Sequence, residues 1–337
     1  MNKYKFAAIV PAYNPGDAVI SVVSETAKYV DKVYLVDDGS DNKNKEYLKA
    51  CSSLDNVSLI TLSENRGKGH ALTTGLREAL VFSPDYIFTI DSDGQHNPKE
   101  IPTFINFVEK SAGQPSGFII GSRNKIRVMP FRSKFGNVFM SFLFYFFFRY
   151  LVIDTQSGFR VLSSAFADKA VGKILPGRYE TEMKMLVYAV NSRFGLHEIP
   201  IDTIYIEGNK NSKFRPVQDS ARVLSVLSRH AVRFLLDYFI FLGLVYFLNI
   251  YFIYSHILSK AISEGYALIA NRHAYNPPKK IILKDIVSIV FLTGVTAALL
   301  YVLVALAGVP KAAAKPAAEI ATGFAGFITL IRLGKRK

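Results

Sequence analysis

Residues 86–96 read YIFTIDSDGQH. Tyr86 to Ile90 is a run of β-branched and aromatic side chains, the composition of a buried strand, and it stops at Asp91. Asp91-Ser92-Asp93-Gly94 then sets two carboxylates one residue apart at the strand's carboxyl end. Oxygen donors so placed can reach a hard divalent cation: Mg²⁺ and Mn²⁺ take carboxylate, carbonyl and water ligands and bridge to substrate phosphates. The bland alternative is a calcium-like or merely polar loop. His96 could be read as a further ligand, but a lone histidine in such a loop more often serves as a hydrogen-bonding residue.

The same grammar extends to both sides. Strands are predicted at 5–12, 32–37, 57–62, 86–90 and 117–121, with helices at 18–29, 69–81 and 101–109 between them. Strands alternating with helices predict a mostly parallel, doubly wound α/β sheet, whose ligands bind beyond the carboxyl ends of the strands. Strand one ends in Pro11-Ala12-Tyr13-Asn14-Pro15 and strand two in Asp37-Asp38-Gly39-Ser40, which could equally be a turn and helix cap. Asn65-Arg66-Gly67-Lys68-Gly69-His70 leads from a strand into a helix. Its glycines let backbone approach a ligand, the helix N-terminus favours an anion, and Arg66 and Lys68 add positive charge. Walker-type P-loop, Cys-x-x-Cys and His-Glu-x-x-His patterns are absent. The single cysteine, Cys51, rules out an internal disulfide.

Half of the 337 residues are hydrophobic, and they are distributed unevenly. From about Arg229 onward, near-continuous apolar stretches cover 234–250, 251–270, 286–309 and 317–331. A span needs roughly 20 residues, with about 17 as the lower limit, so four membrane helices are expected, the first two only if Asp237, Lys260 and Glu264 face other helices. A buried bundle in a soluble domain is the alternative. Lys260 and Glu264 are four apart, and an internal ion pair is expected. Eleven Lys or Arg residues flank these stretches on one side, from Arg222 to Lys337, against Lys311 and Lys315 on the other. That bias, with an N-terminal apolar run too short for a secretory signal, predicts a multi-pass cell-membrane protein with its first domain and both termini in the cytosol. Phe135 to Phe148 holds seven phenylalanines in 14 residues beside Arg132, Lys134 and Arg149. It is too short to span a bilayer and reads as an interfacial helix near 132–150, or else a core helix. The expected division is therefore 1–228 and 229–337. A net charge of +14 suits an anionic membrane surface, and no nucleic-acid-binding motif is present.

Taken in order, PAYNP, DDGS, NRGKGHAL and DSDGQH resemble the family 2 glycosyltransferases with the GT-A fold. GSR (121–123), MPFRSKFGN (129–137), DTQSGFR (154–160), YETEM (179–183) and the tail at 206–220 are similar to the polyprenyl-phosphate sugar synthases, which include dolichol-phosphate mannose synthase and GtrB-type glucosyltransferases. The part from about Arg229 resembles, more loosely, the four-helix GtrA-like membrane domain. The resemblance implies a GT-A catalytic domain, Rossmann-like, followed by an α-helical membrane domain.

The resemblance also implies roles. Tyr13 and Asp38, with Pro11 and Ala12, match positions that hold the nucleotide. Asp91, with Ser92, lies next to the ribose and diphosphate. Asp93 and Gln95 match ligands of a Mg²⁺ or Mn²⁺ cofactor, with Asp93 catalytic. Arg123, Arg132 and Ser133 match the seat of the acceptor phosphate, both arginines with a catalytic part. Lys68, Arg160 and Lys213 are candidates for the nucleotide sugar's phosphates, and Glu182 matches an acidic position in the acceptor region. Pro15 stands where many relatives have Glu, and Lys213 where many have His.

The implied activity is that of an inverting hexosyltransferase. It would move a sugar from a nucleotide-diphosphate sugar, UDP-glucose favoured, to a polyprenyl phosphate for cell-wall or surface polysaccharide glycosylation. A GDP-mannose-using synthase is the alternative. A processive polysaccharide synthase would need a Gln-x-x-Arg-Trp motif, and this chain has no tryptophan. The membrane domain would anchor the enzyme and could help move the lipid-linked sugar across the bilayer. A homo-oligomer joins the expected partners, alongside membrane lipid, because four short helices alone make a poor enclosure.

Overall fold

The computed structural model describes residues 3–111, 117–123, 131–192, 194–202, 215–228, 231–271 and 279–334. They fall into two units: Met1–Phe139 with Val152–Val226, and Met140–Leu151 with Leu227–Lys337.

In the first unit, β1 (Phe6–Ala12), α1 (Ala18–Thr26), β2 (Lys32–Asp37), α2 (Asn42–Cys51), β3 (Val57–Thr61), α3 (Lys68–Val81), β4 (Tyr86–Thr89), α4 (Ile101–Lys110) and β5 (Phe118–Arg123) follow the alternation read from the sequence. All seven residues of β1 are buried, as befits a parallel strand covered on both faces. After α5 (Phe131–Phe148) come β6 (Arg160–Ser163), α6 (Ser164–Lys173), α7 (Glu180–Asn191), β7 (Leu196–Ile201) and α8 (Pro216–Ser228). The sheet runs β3-β2-β1-β4-β6-β5-β7, parallel throughout except that β6 is antiparallel to both neighbours. This is the expected mostly parallel, Rossmann-like sheet.

Register decides where the chemistry sits. Ala12 pairs with Asp37, and Ile9 with Thr89. Parallel strands in that register deliver Tyr13, Asp38 and the Asp91–Asp93 turn to one edge of the sheet. Beneath that edge Phe88, Phe104 and Phe159 pack as a buried aromatic group, with Phe104 and Phe159 centroids 4.7 Å apart.

The second unit contains α9 (Val232–Leu242), α10 (Phe252–Asn271), α11 (Lys279–Tyr301) and α12 (Lys311–Gly334). The last turns of α5 belong to it: Phe142 packs on Phe324 and Phe327, and Phe146 stacks on Phe234 at 4.6 Å. The four helices lie where spans were expected. Among the described residues one helix, Val287–Leu306, is by itself long and apolar enough to cross a membrane. The other helices are shorter or more charged: α9 with its π-helical extension covers only 232–247, α10 carries Lys260 and Glu264, and α12 carries Lys311, Lys315 and Glu319 with Pro316 inside it.

The expected Lys260–Glu264 pair does not form. Lys260 Nζ lies 3.0 Å from Glu319 and 3.3 Å from Asp237, while Glu264 pairs with Arg233 at 3.1 Å. Partners on other helices win because packing faces them inward.

A repeat invisible in the sequence emerges here. The π-helical segments Gly243–Phe247 and Val302–Leu306 lie 59 residues apart. Each closes in the same way: Leu248 N donates to Gly243 O and Ile250 N to Leu244 O, as Ala307 N does to Val302 O and Val309 N to Leu303 O. Asn249 and Gly308 then take φ of +52° and +69°. Equivalent residues of the two hairpins meet, His256 with Lys315 at 3.1 Å and Lys260 with Glu319 at 3.0 Å. The unit is thus a pair of like hairpins with a buried charged cluster where they face one another.

Candidate active site

Asp91 and Asp93 leave β4 on a turn that Gly94 permits with φ +78°. Gln95 N donates to Asp93 Oδ1 at 3.1 Å. Lys68, at the start of α3, places its ammonium 2.6 Å from Asp91 and 3.0 Å from Glu182. Burial depresses the Lys68 pKa, but the two carboxylates more than reverse it and it ends raised. Burial likewise opposes the Asp91 carboxylate, and Lys68 outweighs it, so Asp91 is held below its usual range. For Asp93 the Gln95 N–H and the Lys68 charge work in the same direction but do not win. Burial and then the charge of Asp91 push it up to about 6. His96 is buried against Phe159, pushed down to about 4 chiefly by burial, and therefore neutral at pH 7. Its Nε2 stands 3.8 Å from Asp91 Oδ2.

This donor set fits a divalent cation. Asp93 carries negative charge that Lys68, already committed to Asp91 and Glu182, offsets only in part, and Gln95, two residues on, offers a neutral oxygen donor. Among the described residues no group of three His, Cys, Asp or Glu side chains converges as a closed metal site. A cation held by Asp93 and Gln95 would complete its shell with water and substrate phosphate.

The loops around the turn are locked to it. Asp38 accepts hydrogen bonds from Arg66 N and Gly67 N, both at 2.8 Å, so β2 fastens the NRGKG loop. Burial raises the Asp38 pKa, and those two N–H groups work against the rise. Asn14 N donates to Ser40 Oγ, and Asp41 N to Asn14 Oδ1, joining the ends of β1 and β2. Gly67, at φ +101°, packs against Arg178, and Gly69 against Thr181. A side chain at either would collide with the turn that opens α7. Gly158 faces the Asp91 carboxylate in the same way.

The expected site residues fare differently. Tyr13 is 38% exposed just past β1, where a ligand can reach it, while Pro11 and Ala12 are buried behind it. Lys68, Asp91, Ser92, Asp93 and Gln95 gather at the β4 turn. Asp38 is 2% exposed with both oxygens taken up by the NRGKG loop, so its direct task is to shape that loop. Asp38→Asn is accordingly expected to cost about 1–3 kcal/mol, read as a lower Tm, because an amide NH₂ would face a buried N–H donor. Arg160 departs from the expectation of phosphate binding. It is 1% exposed, and its guanidinium donates to the carbonyls of Ser157, Glu182 and Thr155. It holds the DTQSG loop and α7 in place. Arg123 forms a two-pronged pair with Asp154, Nε to Oδ2 at 2.5 Å and Nη2 to Oδ1 at 2.9 Å. The backbone N–H groups of Ile153 and Asp154 are in turn fixed by Glu198. Arg132 and Ser133 lie on the first turn of α5 with side chains outside the described residues, as is all of Lys213.

Sequence reasoning missed the Asp154–Glu198 support of Arg123 and the pairing of Glu182 with Lys68. No local signal marks either, since each partner is remote in the chain.

The profile of the family described as "Glycosyl transferase family 2" matches residues 7–172. An uncharacterized protein of Methanocaldococcus jannaschii is 34% identical over 216 residues, which are 61% of this chain and 84% of that protein. The UDP-N-acetylglucosamine–dolichyl-phosphate N-acetylglucosaminyltransferase of Methanococcus voltae is 30% identical over 217 residues, 59% of this chain and 85% of that one. The dolichyl-phosphate beta-glucosyltransferase of Dictyostelium discoideum is 25% identical over 252 residues, 68% and 75%.

Proposed function

We infer from membership of glycosyltransferase family 2, to which this chain belongs, that it transfers a single sugar from a nucleotide-diphosphate sugar to a polyprenyl phosphate. One observation carries the reading: the Asp91–Gln95 turn, its incompletely compensated Asp93 and the Lys68 ammonium lie together at the sheet edge where β1 and β2 also end. The relatives that act on dolichyl phosphate support the acceptor class.

The chemistry follows from charge. A lipid phosphate is already ionised near neutrality, its second pKa being about 6, so attack needs no strong base. A divalent cation bound by Asp93 and Gln95 would supply neutralisation of the departing diphosphate. Lys68 adds positive charge beside Asp91. Arg123, its plane fixed by Asp154, and Arg132 are proposed to seat the acceptor phosphate, with Ser133, for in-line attack. Direct displacement inverts the anomeric carbon. Tyr13 is proposed to lie against the base, and Lys213 to reach the donor's phosphates.

The second unit is proposed to be the membrane anchor, GtrA-like, with the catalytic unit and both termini on the cytosolic side. Its outward apolar side chains support that: Phe247, Leu306 and Phe291 are 86%, 73% and 69% exposed. The buried cluster of Asp237, Lys260, Lys315 and Glu319 favours a second task, passage of the lipid-linked sugar, since charges among apolar helices are costly unless they serve a function.

The test is a donor panel. Membranes containing the protein receive Mn²⁺, a polyprenyl phosphate and, in turn, labelled UDP-glucose, UDP-N-acetylglucosamine, UDP-galactose or GDP-mannose. We expect one uridine donor, UDP-glucose first and UDP-N-acetylglucosamine its competitor, to give a single acid-labile labelled lipid that EDTA suppresses. A ladder of polymer lengths, or undiminished transfer in EDTA, would overturn the reading.

A further inference from the structure

Glu182 sits in the first turn of α7, 7% exposed. One carboxylate oxygen, Oε2, is engaged by Lys68 at 3.0 Å. The other, Oε1, is buried and has no hydrogen-bond partner among the described residues. A buried carboxylate oxygen without a donor is costly, and native structures tolerate one chiefly where something else supplies the donor. The surroundings hold Glu182 firmly: Arg160 donates to its backbone carbonyl, Thr181 beside it packs on Gly69, and Lys68 bridges it to Asp91.

What could supply that donor is narrowed by charge. A phosphate, whether of the donor or of the lipid acceptor, is an anion with little hydrogen to give at neutral pH, and a carboxylate oxygen without a donor repels it. A metal ion would be drawn there, but Lys68 already occupies the cationic position between Glu182 and Asp91. What remains is a neutral hydroxyl or amide N–H. In a nucleotide sugar these are carried by the base, the ribose and the transferred sugar. The base belongs by the proposed reading to the end of β1, against Tyr13, and the ribose beside it to the same edge, where Asp38 shapes the loop without a free oxygen of its own. Glu182 lies on the other side of Lys68 from Asp91.

We propose that Glu182 Oε1 accepts a hydrogen bond from the transferred sugar, making Glu182 a donor-sugar specificity residue and not part of the acceptor seat. The inference rests on the nucleotide-sugar reading above. It predicts that the protein distinguishes UDP-sugar from UDP through this one carboxylate.

The experiment uses the full chain in detergent with Mn²⁺. Binding of UDP and of the UDP-sugar preferred in the donor panel is measured by calorimetry, and KM is measured for sugar and for polyprenyl phosphate. Glu182→Gln is expected to leave UDP affinity and the lipid KM within about twofold and to weaken UDP-sugar binding roughly 10- to 100-fold, the range for losing a hydrogen bond to a charged group. Glu182→Asp, which keeps the charge on a shorter stem, is expected to fall between. UDP binding doubles as the check that each variant is folded. An equal loss for UDP and UDP-sugar would make Glu182 a support of Lys68 or the metal, and would overturn the inference. So would a loss confined to the lipid KM, or no loss at all. A wild-type chain that binds no nucleotide sugar would instead defeat the reading on which the inference depends.

Discussion

Asp93→Ala is expected to lower the rate of sugar transfer by about 10³-fold or more while the chain stays folded. Charge neutralisation of a leaving diphosphate by a bound cation amounts to several kcal/mol, and about 4 kcal/mol is a factor of ~10³. Asp93 is the carboxylate of the turn whose burial and nearness to Asp91 outweigh the help it gets from the Gln95 N–H and the Lys68 charge, so its removal takes away the cation's anchor without breaking an ion pair among the described residues. Stability should move the other way. Burial and Asp91 raise the Asp93 pKa to about 6 from an unfolded value near 3.9. A carboxylate raised on folding costs stability above its folded pKa, and that cost fades as pH falls from about 6 towards 4. In EDTA at pH 7.5 Asp93→Asn should therefore melt a few degrees higher than wild type, and at pH 4 the two should coincide. Manganese-stimulated transfer that survives in Asp93→Ala would remove this residue from the cation site. A Tm that falls at pH 7.5 would show that the carboxylate is compensated after all.

The second large effect belongs to the membrane unit. Lys315, 1% exposed, donates to Asp237 Oδ1 and Ser259 Oγ, contacts His256 Nδ1 at 3.1 Å, and lies 3.6 Å from Glu319. With Lys260, the cluster sets two ammonium groups against two carboxylates. Lys315→Met leaves two buried carboxylates sharing one lysine, and losing one partner of a buried pair costs about 3–5 kcal/mol. The double variant Lys315→Met with Glu319→Gln restores the balance of charge, since Asp237 keeps Lys260. It should recover at least half of that loss. Thermal unfolding of the full chain in detergent, run as a double-mutant cycle, reads the coupling. Strictly additive effects, or a cost below about 1 kcal/mol for Lys315→Met alone, would show that the cluster is open to water.

Much of the catalytic unit was legible in the chain because parallel strands buried on both faces are written as continuous apolar runs. β2 begins and ends where its composition changes, at Lys32 and Asp37, and the turns beyond β1, β2 and β4 announce themselves by glycine and by paired carboxylates. Those are local signals. β6 was not legible, because a four-residue strand led by a buried arginine has no pattern of its own and exists only between β4 and β5.

The same limit governs the site. The sequence by itself determined which residues gather at the sheet edge: Tyr13, Lys68, Asp91, Asp93 and Gln95 follow strand ends, and parallel pairing must bring strand ends together. The tertiary structure alone decided which of the remaining charges face a ligand and which are spent inside. Arg160 turns inward to three carbonyls, Asp38 to two N–H groups, and Glu182 keeps one buried oxygen unpaired among the described residues. Lys260 passes over Glu264, one helical turn away, for Asp237 and Glu319. In each case a charged side chain gains more from a fixed, desolvated partner far along the chain than from a near neighbour in water, and sequence distance carries no record of that choice.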